Sequence, residues 1–596
     1  MLRGGDRHAG FRSRRVVIKA RLVKLGAKGV SASRAHLRYI QRDSATADGA
    51  PGGLYSADRD VADGAAFVER GSGDRHQFRF IVSAEDGDQI PDLKPFVRRL
   101  MTQMEEDLGT KLDWVAADHR DTGHPHSHIM LRGKDDRAKN LIIAREYIAH
   151  GFRERASAMV SLDLGPRTDL EIEERLRHDV SQECLTSIDR RLIRAMDFDR
   201  MVSSVDRDPL QQSLRAGRLK TFERLGLAVD RGGGGWQLED GLEETLRRLG
   251  ERGDIIRTMQ RELSSRLPDR AAADQVIENS SEMQPIVGRV VARGLADELH
   301  DRHYLIVDGV DGRSHYIGIG KGEAVEPLPE GAIVRVASSP RGVREVDRTI
   351  VAVAAANDGH YTVDAHLRFD PQASQAFAET HVRRLEAMRR VMRSVEREPD
   401  GRWAIAPDHL ERAAAFEAKL AADRPVAVEI LSGVPLDRLK TMDAATWLDR
   451  ELTSADPVSL RDGGFGRDVR AAQAARQAWL VEQELAHEVD GLTSYPADML
   501  SKLQRRELLK VAGQLSEELG MPFAEARRGD RIDGLLRRRV DLASGRFAVI
   551  EKSREFTLVP WRPALERHVG KPISGVLRAN GVSWTIGRGR AGPSVD

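Results

Sequence analysis

Hydrophobic and polar residues alternate in several short segments of the first 170 residues, and this alternation predicts β-strands. Residues 13–24 and 75–87 carry bulky apolar side chains at every second position, as a strand with one buried face requires. Residues 111–119 and 126–133 flank the turn-forming stretch RDTGHP, which predicts an antiparallel hairpin. Apolar spacing of three and four residues predicts helices over 31–43, 91–108 and 142–161.

Beyond residue 170 the pattern predicts further units and an internal repeat. Arg218, Leu219, Phe222 and Trp236 match Arg384, Leu385, Met388 and Trp403 with a one-residue gap, which suggests two winged-helix-like units. We expect these units at 171–270 and 360–456, a small barrel of strands at 285–355, and a helical segment followed by a strand-rich unit at 467–596. The predicted fold class is therefore α+β, with several domains after the first at 1–170.

The chain has 596 residues and a single cysteine, Cys184, so it forms no intramolecular disulfide and no thiolate cluster. No run of about 18 apolar residues and no secretory leader is found. We therefore expect a cytoplasmic protein without stable membrane insertion.

The first 42 residues are strongly basic, although the whole chain has a formal net charge of only +1. They hold twelve lysine or arginine residues against a single acidic residue, Asp6. A segment of this density is either a solvated tail or a surface that contacts phosphate backbones.

Four histidines lie within ten residues of the predicted hairpin, at positions 119, 124, 126 and 128. Residues two apart on a strand point the same way, so His126 and His128 share one face. The returning strand brings His119 within reach, which predicts a three-imidazole metal site with open positions for substrate. Such a site favours chemistry on a phosphate group.

These residues resemble the three motifs of conjugative relaxases, within the group that includes the T-DNA border nicking endonuclease. The motifs are Tyr39 on an early helix, Ser83 at the end of a middle strand, and the pattern H-x-D-x-x-H-P-H-x-H that begins at His119. In relaxases the nucleophilic tyrosine precedes the histidines, as it does here. The resemblance covers about residues 10–170 and implies an HUH-endonuclease fold, a central antiparallel sheet with helices.

The resemblance also implies a role for each matching residue. Tyr39 would be the nucleophile, and His119, His126 and His128 would bind a divalent metal ion, Mg²⁺ or Mn²⁺. Ser83 would contact DNA near the nick, and the basic segment would contact phosphates through Arg34, Arg38 and Arg42. Asp121 would orient or activate the site, while His124, as proton carrier or phosphate contact, has an open role.

The implied function is strand-specific nicking and rejoining of DNA at a transfer origin through a 5′-phosphotyrosine intermediate. The implied partners are single-stranded DNA, relaxosome accessory proteins and a type IV coupling protein, with export of the chain together with DNA. Tyr55 is an alternative nucleophile. A hydrolase that activates water and a non-catalytic DNA-binding protein are the competing functions.

Overall fold

The computed structural model is mixed α and β, as the pattern predicts, and its sheets are largely antiparallel. It describes residues 12–25, 33–34, 36–37, 40–41, 53–120, 125–297, 300, 302–322, 325–326, 328–340, 342–489, 492–578 and 581–585. The chain divides into two compact units, Met1–Thr258 and Met259–Asp596. Each unit has its own sheets and hydrophobic cores.

The first unit begins with a four-stranded antiparallel sheet of order β1-β2-β4-β3. Its strands are β1 (Val16–Lys24), β2 (His76–Ala84), β3 (Trp114–His119) and β4 (His126–Arg132). The edge strand β1 largely alternates exposed with half-buried positions, whereas β4 is buried at its first six positions because both its faces are covered. The four strands predicted from alternation are confirmed, including the hairpin of β3 and β4.

Helices cover both faces of this sheet. On one face α1 (Gly64–Arg70) packs with the helical residues described between 33 and 41. On the other face lie α2 (Leu93–Leu108) and α3 (Phe152–Leu164). A single turn of π-helix, Tyr147–Gly151, directly precedes α3. The side chain of Asp92 caps the first turn of α2, and Gly109 ends that helix in the left-handed conformation, at φ 66°.

A helical part follows in the first unit and contains the first copy of the predicted repeat. Its elements are α4 (Asp169–Ser181), α5 (Ser187–Ala195), β5 (Met201–Ser203), α6 (Pro209–Arg224), β6 (Ala228–Gly232), β7 (Gly235–Leu238) and α7 (Leu242–Arg266), which runs on past the end of the unit. The strands form a sheet of order β5-β7-β6, with Trp236 buried on the central strand. Beneath it, Arg218 of α6 forms a buried ion pair with Asp189 of α5.

The predicted small barrel at 285–355 is wrong. The strands there belong to a six-stranded sheet of order β16-β12-β9-β10-β11-β8, in which the described residues of the two outer strands are not hydrogen-bonded to each other. These strands are β8 (Gln275–Ile277), β9 (Ile286–Asp297), β10 (Arg302–Gly309), β11 (Ser314–Lys321), β12 (Ile333–Ser338) and β16 (Val426–Ser432). The prediction failed because β16 pairs with β12 across more than 85 intervening residues, which no local pattern reveals.

The second copy of the repeat lies between β12 and β16 in the sequence. Its elements are α8 (Glu345–Ala355), β13 (His360–Tyr361), α9 (Val363–Phe369), α10 (Gln375–Met392), β14 (Glu396–Arg397), β15 (Trp403–Ala404) and α11 (His409–Asp423). Its sheet order, β13-β15-β14, again places a buried tryptophan, Trp403, on the central strand. Arg384 pairs with the buried Asp347, as Arg218 pairs with Asp189. The paired positions are thus equivalent in structure.

A third arrangement of the same kind follows, although the residue pattern that marks the first two copies does not recur in its sequence. It comprises α12 (Leu436–Leu439), α13 (Trp447–Leu452), α14 (Gly464–Glu482), β17 (His487–Val489), β18 (Leu492–Ser494) and α15 (Met499–Leu519). Here the buried Arg476 of α14 pairs with the buried Asp449 of α13. In all three arrangements the aspartate is the third residue of its helix and accepts a hydrogen bond from the backbone N–H of the residue before that helix.

The described chain ends in a five-stranded antiparallel sheet of order β21-β20-β19-β22-β23. Its strands are β19 (Arg531–Leu542), β20 (Gly545–Glu551), β21 (Phe556–Pro560), β22 (Pro572–Arg578) and β23 (Gly581–Thr585). These strands lie in the stretch near the end of the chain that is predicted to be rich in strands. None of the helices described has the length and apolar character needed to cross a bilayer.

Candidate metal centre

The register of the β3–β4 hairpin brings three histidines together on one face of the sheet. His119 lies directly opposite His126, and Ala117 lies opposite His128. Because side chains alternate between the two faces of a strand, the imidazoles of residues 119, 126 and 128 point to the same side. That side is the one that α1 and the helical residues described between 33 and 41 cover.

The three imidazoles form a compact and largely buried cluster. The ring centres of His119 and His128 are 4.4 Å apart, and those of His126 and His128 are 5.0 Å apart. All three side chains are buried, with exposed fractions of 2%, 8% and 2% for residues 119, 126 and 128. One nitrogen from each ring can be chosen so that the three lie within 4.8 Å of one another.

One pair of these nitrogens has the spacing of two ligands in the coordination shell of a metal ion, and the third lies close enough to join them. Two imidazole nitrogens at about 2.0–2.1 Å from one tetrahedral ion are about 3.3 Å apart. The Nε2 atoms of His126 and His128 are 3.2 Å apart. Three neutral imidazoles leave open positions for substrate oxygens, as a catalytic centre requires. The residues present therefore fit a divalent cation.

His119 is held by the backbone of the covering helical segment. Its Nε2 lies 3.0 Å from the carbonyl oxygen of Ile40, which can only accept a hydrogen bond. Nε2 therefore carries the proton, and Nδ1 keeps its lone pair. A backbone carbonyl that accepts a hydrogen bond from the second ring nitrogen commonly orients a metal-binding histidine. His36 of the same segment packs its ring against His128, with 6.4 Å between the ring centres.

Ser83 supports the start of β4. Its hydroxyl donates a hydrogen bond to the carbonyl oxygen of Pro125, at 3.2 Å, and Pro125 directly precedes His126. This bond joins the end of β2 to the chain that carries the imidazoles. The predicted contact of Ser83 with DNA stays a prediction.

The other predicted site residues divide into one that is described and five that are not. Arg34 is exposed on the helical segment that covers the imidazoles. The residues that lie outside the described part of the chain are Tyr39, Asp121, His124, Arg38 and Arg42.

Tyr55 lies on the opposite face of the sheet from the imidazoles. Its backbone forms a bridge with Ala116, and its side chain packs in the core that α2 and α3 cover. The hydroxyl donates to Asp118 Oδ1 at 2.7 Å, and Ser127 donates to the same oxygen at 2.6 Å. Burial raises the pKa of Asp118 and, together with that carboxylate, raises the pKa of Tyr55 well above its usual value. A tyrosine in this setting is a poor nucleophile.

Sequence reasoning missed the contacts that hold the cluster from outside the hairpin. The Ile40 carbonyl has no side-chain signature, and the ring of His36 lies far from the histidine motif in the sequence. The Tyr55–Asp118–Ser127 group also has no spacing that would reveal it. Only the hairpin histidines had a local signal.

The fold and site define an α+β protein with a buried three-imidazole centre on an antiparallel sheet. Residues 215–593 match the family described as protein of unknown function (DUF3363), and the chain belongs to that family. The matched region begins after the four-stranded sheet, so the histidine centre lies outside it. No curated protein and no solved structure matched the chain in comparison.

Proposed function

We propose that this chain is a relaxase, which nicks one DNA strand at a transfer origin and later rejoins it. The observation that carries the proposal is the buried cluster of His119, His126 and His128 on adjacent antiparallel strands. The proposal adds to this the motif resemblance of Tyr39, which precedes the cluster in the sequence as in relaxases. His119 bonds to Ile40, the next residue after Tyr39 in the sequence.

The chemistry divides between the imidazoles and the tyrosine. A divalent cation bound there, Mg²⁺ or Mn²⁺, would offset the negative charge of the scissile phosphate. The three imidazoles would hold that cation without adding charge, and their burial keeps competing water away. The phenol oxygen of Tyr39 forms a bond to phosphorus as the bond to the 3′ oxygen breaks. The phenol proton leaves, and the 3′ oxygen takes up a proton.

Rejoining is the reverse of this reaction. The 3′ hydroxyl attacks the 5′-phosphotyrosine, and the tyrosine leaves as a phenol once more. Because the covalent link retains the energy of the broken bond, no nucleotide triphosphate is needed. A hydrolase that activates water would instead release free ends.

The remaining expectations form part of the same proposal. The sheet and its helices would be an HUH-type nuclease domain, and the repeat units would be winged-helix-like modules that contact DNA. Ser83 and the arginines at 34, 38 and 42 would contact the strand. Accessory proteins would expose the strand at the origin, and a type IV coupling protein would receive the chain in the cytoplasm for export with its DNA.

The test is a covalent-adduct assay on the full chain. Single-stranded oligonucleotides tiled across the DNA that flanks the gene are incubated with protein and Mn²⁺, and denaturing gels detect an oligonucleotide joined to the chain. We expect an adduct with the unaltered protein and none with Tyr39→Phe. Tyr55→Phe is the matched control, and it should keep the adduct.

Metal binding is measured separately by calorimetry with Mn²⁺. His126→Ala should lose both Mn²⁺ binding and the adduct, while its circular dichroism stays that of the unaltered protein. Cleavage without an adduct would support the water-activating hydrolase instead. If the unaltered protein neither binds Mn²⁺ nor forms an adduct with any tiled oligonucleotide, the relaxase proposal is wrong and a DNA-binding role is favoured.

A further inference from the structure

An arginine-rich pocket lies in the first unit, where the four-stranded sheet meets α4 and α5. We propose that this pocket binds the backbone phosphates of a single DNA strand. The inference rests on the proposed function, because it assigns to that strand a second contact outside the histidine centre.

The pocket is an open cavity of about 350 Å³ with six arginines in its wall. Its lining residues are Arg15, Arg167, Ile172, Arg175, Leu176, Ser187, Arg190, Arg191 and Arg194. Among these described residues none is aromatic, so the pocket offers no ring on which a base could stack. Guanidinium groups without stacking partners favour phosphate over base or nucleoside.

Two carboxylates neutralise only one side of the pocket. Glu85 lies 3.4, 3.1 and 2.6 Å from the nearest guanidinium nitrogens of Arg15, Arg167 and Arg175. Asp86 forms a further ion pair with Arg167 at 2.7 Å. Although burial opposes ionisation of Glu85, its hydrogen bonds to arginines hold the pKa below the usual value, so it is charged at neutral pH.

The opposite side, formed by α5, keeps its positive charge. Ser187, Arg190, Arg191 and Arg194 follow the three- and four-residue spacing of one helix face. Within the described part of the chain, neither Arg190 nor Arg194 is in an ion pair, and both are exposed. Burial, together with the nearby positive charges of Arg194 and Arg215, lowers the pKa of Arg191. Asp179, which accepts a hydrogen bond from Ser187, is the carboxylate that acts on Arg191, so an anion that enters the pocket meets a positive field that is only partly compensated.

The pocket lies at the same end of the sheet as the histidine cluster. Glu85 directly follows β2, and its backbone N–H donates to the carbonyl oxygen of Arg15. At this end of β2, Ser83 contacts the residue before His126. In the sheet order, β1 and β4 are both neighbours of β2, so they are two strand spacings or about 10 Å apart. The strands that lead to the two sites are therefore close together at this end of the sheet, as the proposal requires if one DNA strand contacts both.

The test compares two double variants of the full chain. Arg190→Gln with Arg194→Gln removes two pocket charges. Arg528→Gln with Arg554→Gln removes two exposed charges from the strand-rich unit near the end of the described chain, outside the modules proposed to contact DNA, and serves as the matched control. Binding of a fluorescent oligothymidine of about 25 nucleotides, a length that spans several contact sites, is measured by anisotropy over a range of salt concentrations. Oligothymidine without an origin sequence is bound without being nicked.

Each phosphate contact to a single strand contributes about 0.7 to the slope of log affinity against log salt. The pocket variant should therefore lose about 1.4 from this slope and bind about 25-fold more weakly at 0.1 M salt. In the control variant, the changes in the salt slope and in the logarithm of the affinity should be no more than a third of those in the pocket variant. Equal losses in both variants would overturn the proposal, since they would reflect net charge alone.

Free phosphate and the relaxase activity are distinguished by separate arms. Calorimetry with inorganic phosphate should show no saturable binding at millimolar concentration, and pocket-dependent phosphate binding without pocket-dependent oligothymidine binding would overturn the assignment to a strand. Adduct formation with an unchanged slope in the pocket variant would refute this inference and leave the proposed function standing. A normal pocket effect without any adduct or Mn²⁺ binding would refute only the proposed function.

Discussion

The change Arg218→Met removes a buried charge from the helical part of the first unit. Both Arg218 and Asp189 are 0% exposed, and the guanidinium bonds to the carboxylate at 2.6 and 2.8 Å. The same guanidinium donates to three backbone carbonyls, those of Val180, Gln182 and Cys184. Methionine fills a similar volume but leaves the carboxylate and these carbonyls without their donor.

The loss should be large because no water can replace the missing partner. Breaking a buried ion pair by removing one member typically costs about 3–5 kcal/mol. Since about 1.4 kcal/mol corresponds to a tenfold change, the local opening equilibrium should rise by a factor of roughly 100 to 4,000. This magnitude is a substantial fraction of the stability of a typical domain.

Native-state hydrogen exchange followed by mass spectrometry is the appropriate assay. A chain with several cores does not unfold in one two-state step, whereas exchange reports the opening of each segment. The slow amides of α6 and β7 should exchange faster in Arg218→Met, and those of the four-stranded sheet should change little. Adding Asp189→Leu should restore part of the protection, because no unpaired charge then remains.

The matched control is Arg247→Met, which breaks an exposed ion pair with Glu243 on α7. Exposed pairs of this spacing contribute about 0.3–0.5 kcal/mol. If Arg218→Met opens these segments no more than the control does, the reasoning about the buried pair is refuted. The equivalent pairs Arg384–Asp347 and Arg476–Asp449 should behave as Arg218–Asp189 does.

Two further predictions concern buried polar groups. Burial lowers the pKa of His366, His381 and His409 below the usual value of about 6.5, so stability that is present above pH 6.5 should be lost as the pH falls towards the lowered values. Hydrogen exchange of the α10 amides at pH 7.5 and pH 5.5 measures this loss of stability. Equal protection at the two pH values, after correction for the intrinsic exchange rates, would contradict the prediction. Tyr55→Phe removes a hydrogen bond to the buried Asp118 and should cost about 1–3 kcal/mol in the opening of β3; a loss no larger than that of Arg247→Met would contradict the prediction.

The hairpin histidines were accessible from the sequence because their geometry is local. Side chains two residues apart on a strand point to the same face of the sheet, and the length of a short turn sets which residues of the two strands lie opposite each other. These two rules place His119, His126 and His128 together without any knowledge of the remaining fold, and the register of β3 and β4 agrees. The repeat was also readable, because a buried arginine, a helix and a tryptophan strand recur at similar spacing.

Tertiary structure alone decided the features that join distant segments. The pocket brings Arg15 together with arginines some 150 to 180 residues later in the chain. β16 completes an open sheet where a closed barrel was expected, because it returns to β12 after the whole second repeat copy. The third buried pair, Arg476–Asp449, has no tryptophan strand to mark it in the sequence.

The two tyrosines considered as nucleophiles show the same contrast between what the sequence determines and what the tertiary structure decides. From the sequence both were open, with Tyr39 favoured by its motif. The tertiary structure places Tyr55 on the face opposite the imidazoles, bonded to Asp118. Alternation along β3 and β4 determined the face that the histidines share, but which chain segment covers each face depends on packing between elements far apart in the sequence. Local periodicity carries no information about that packing.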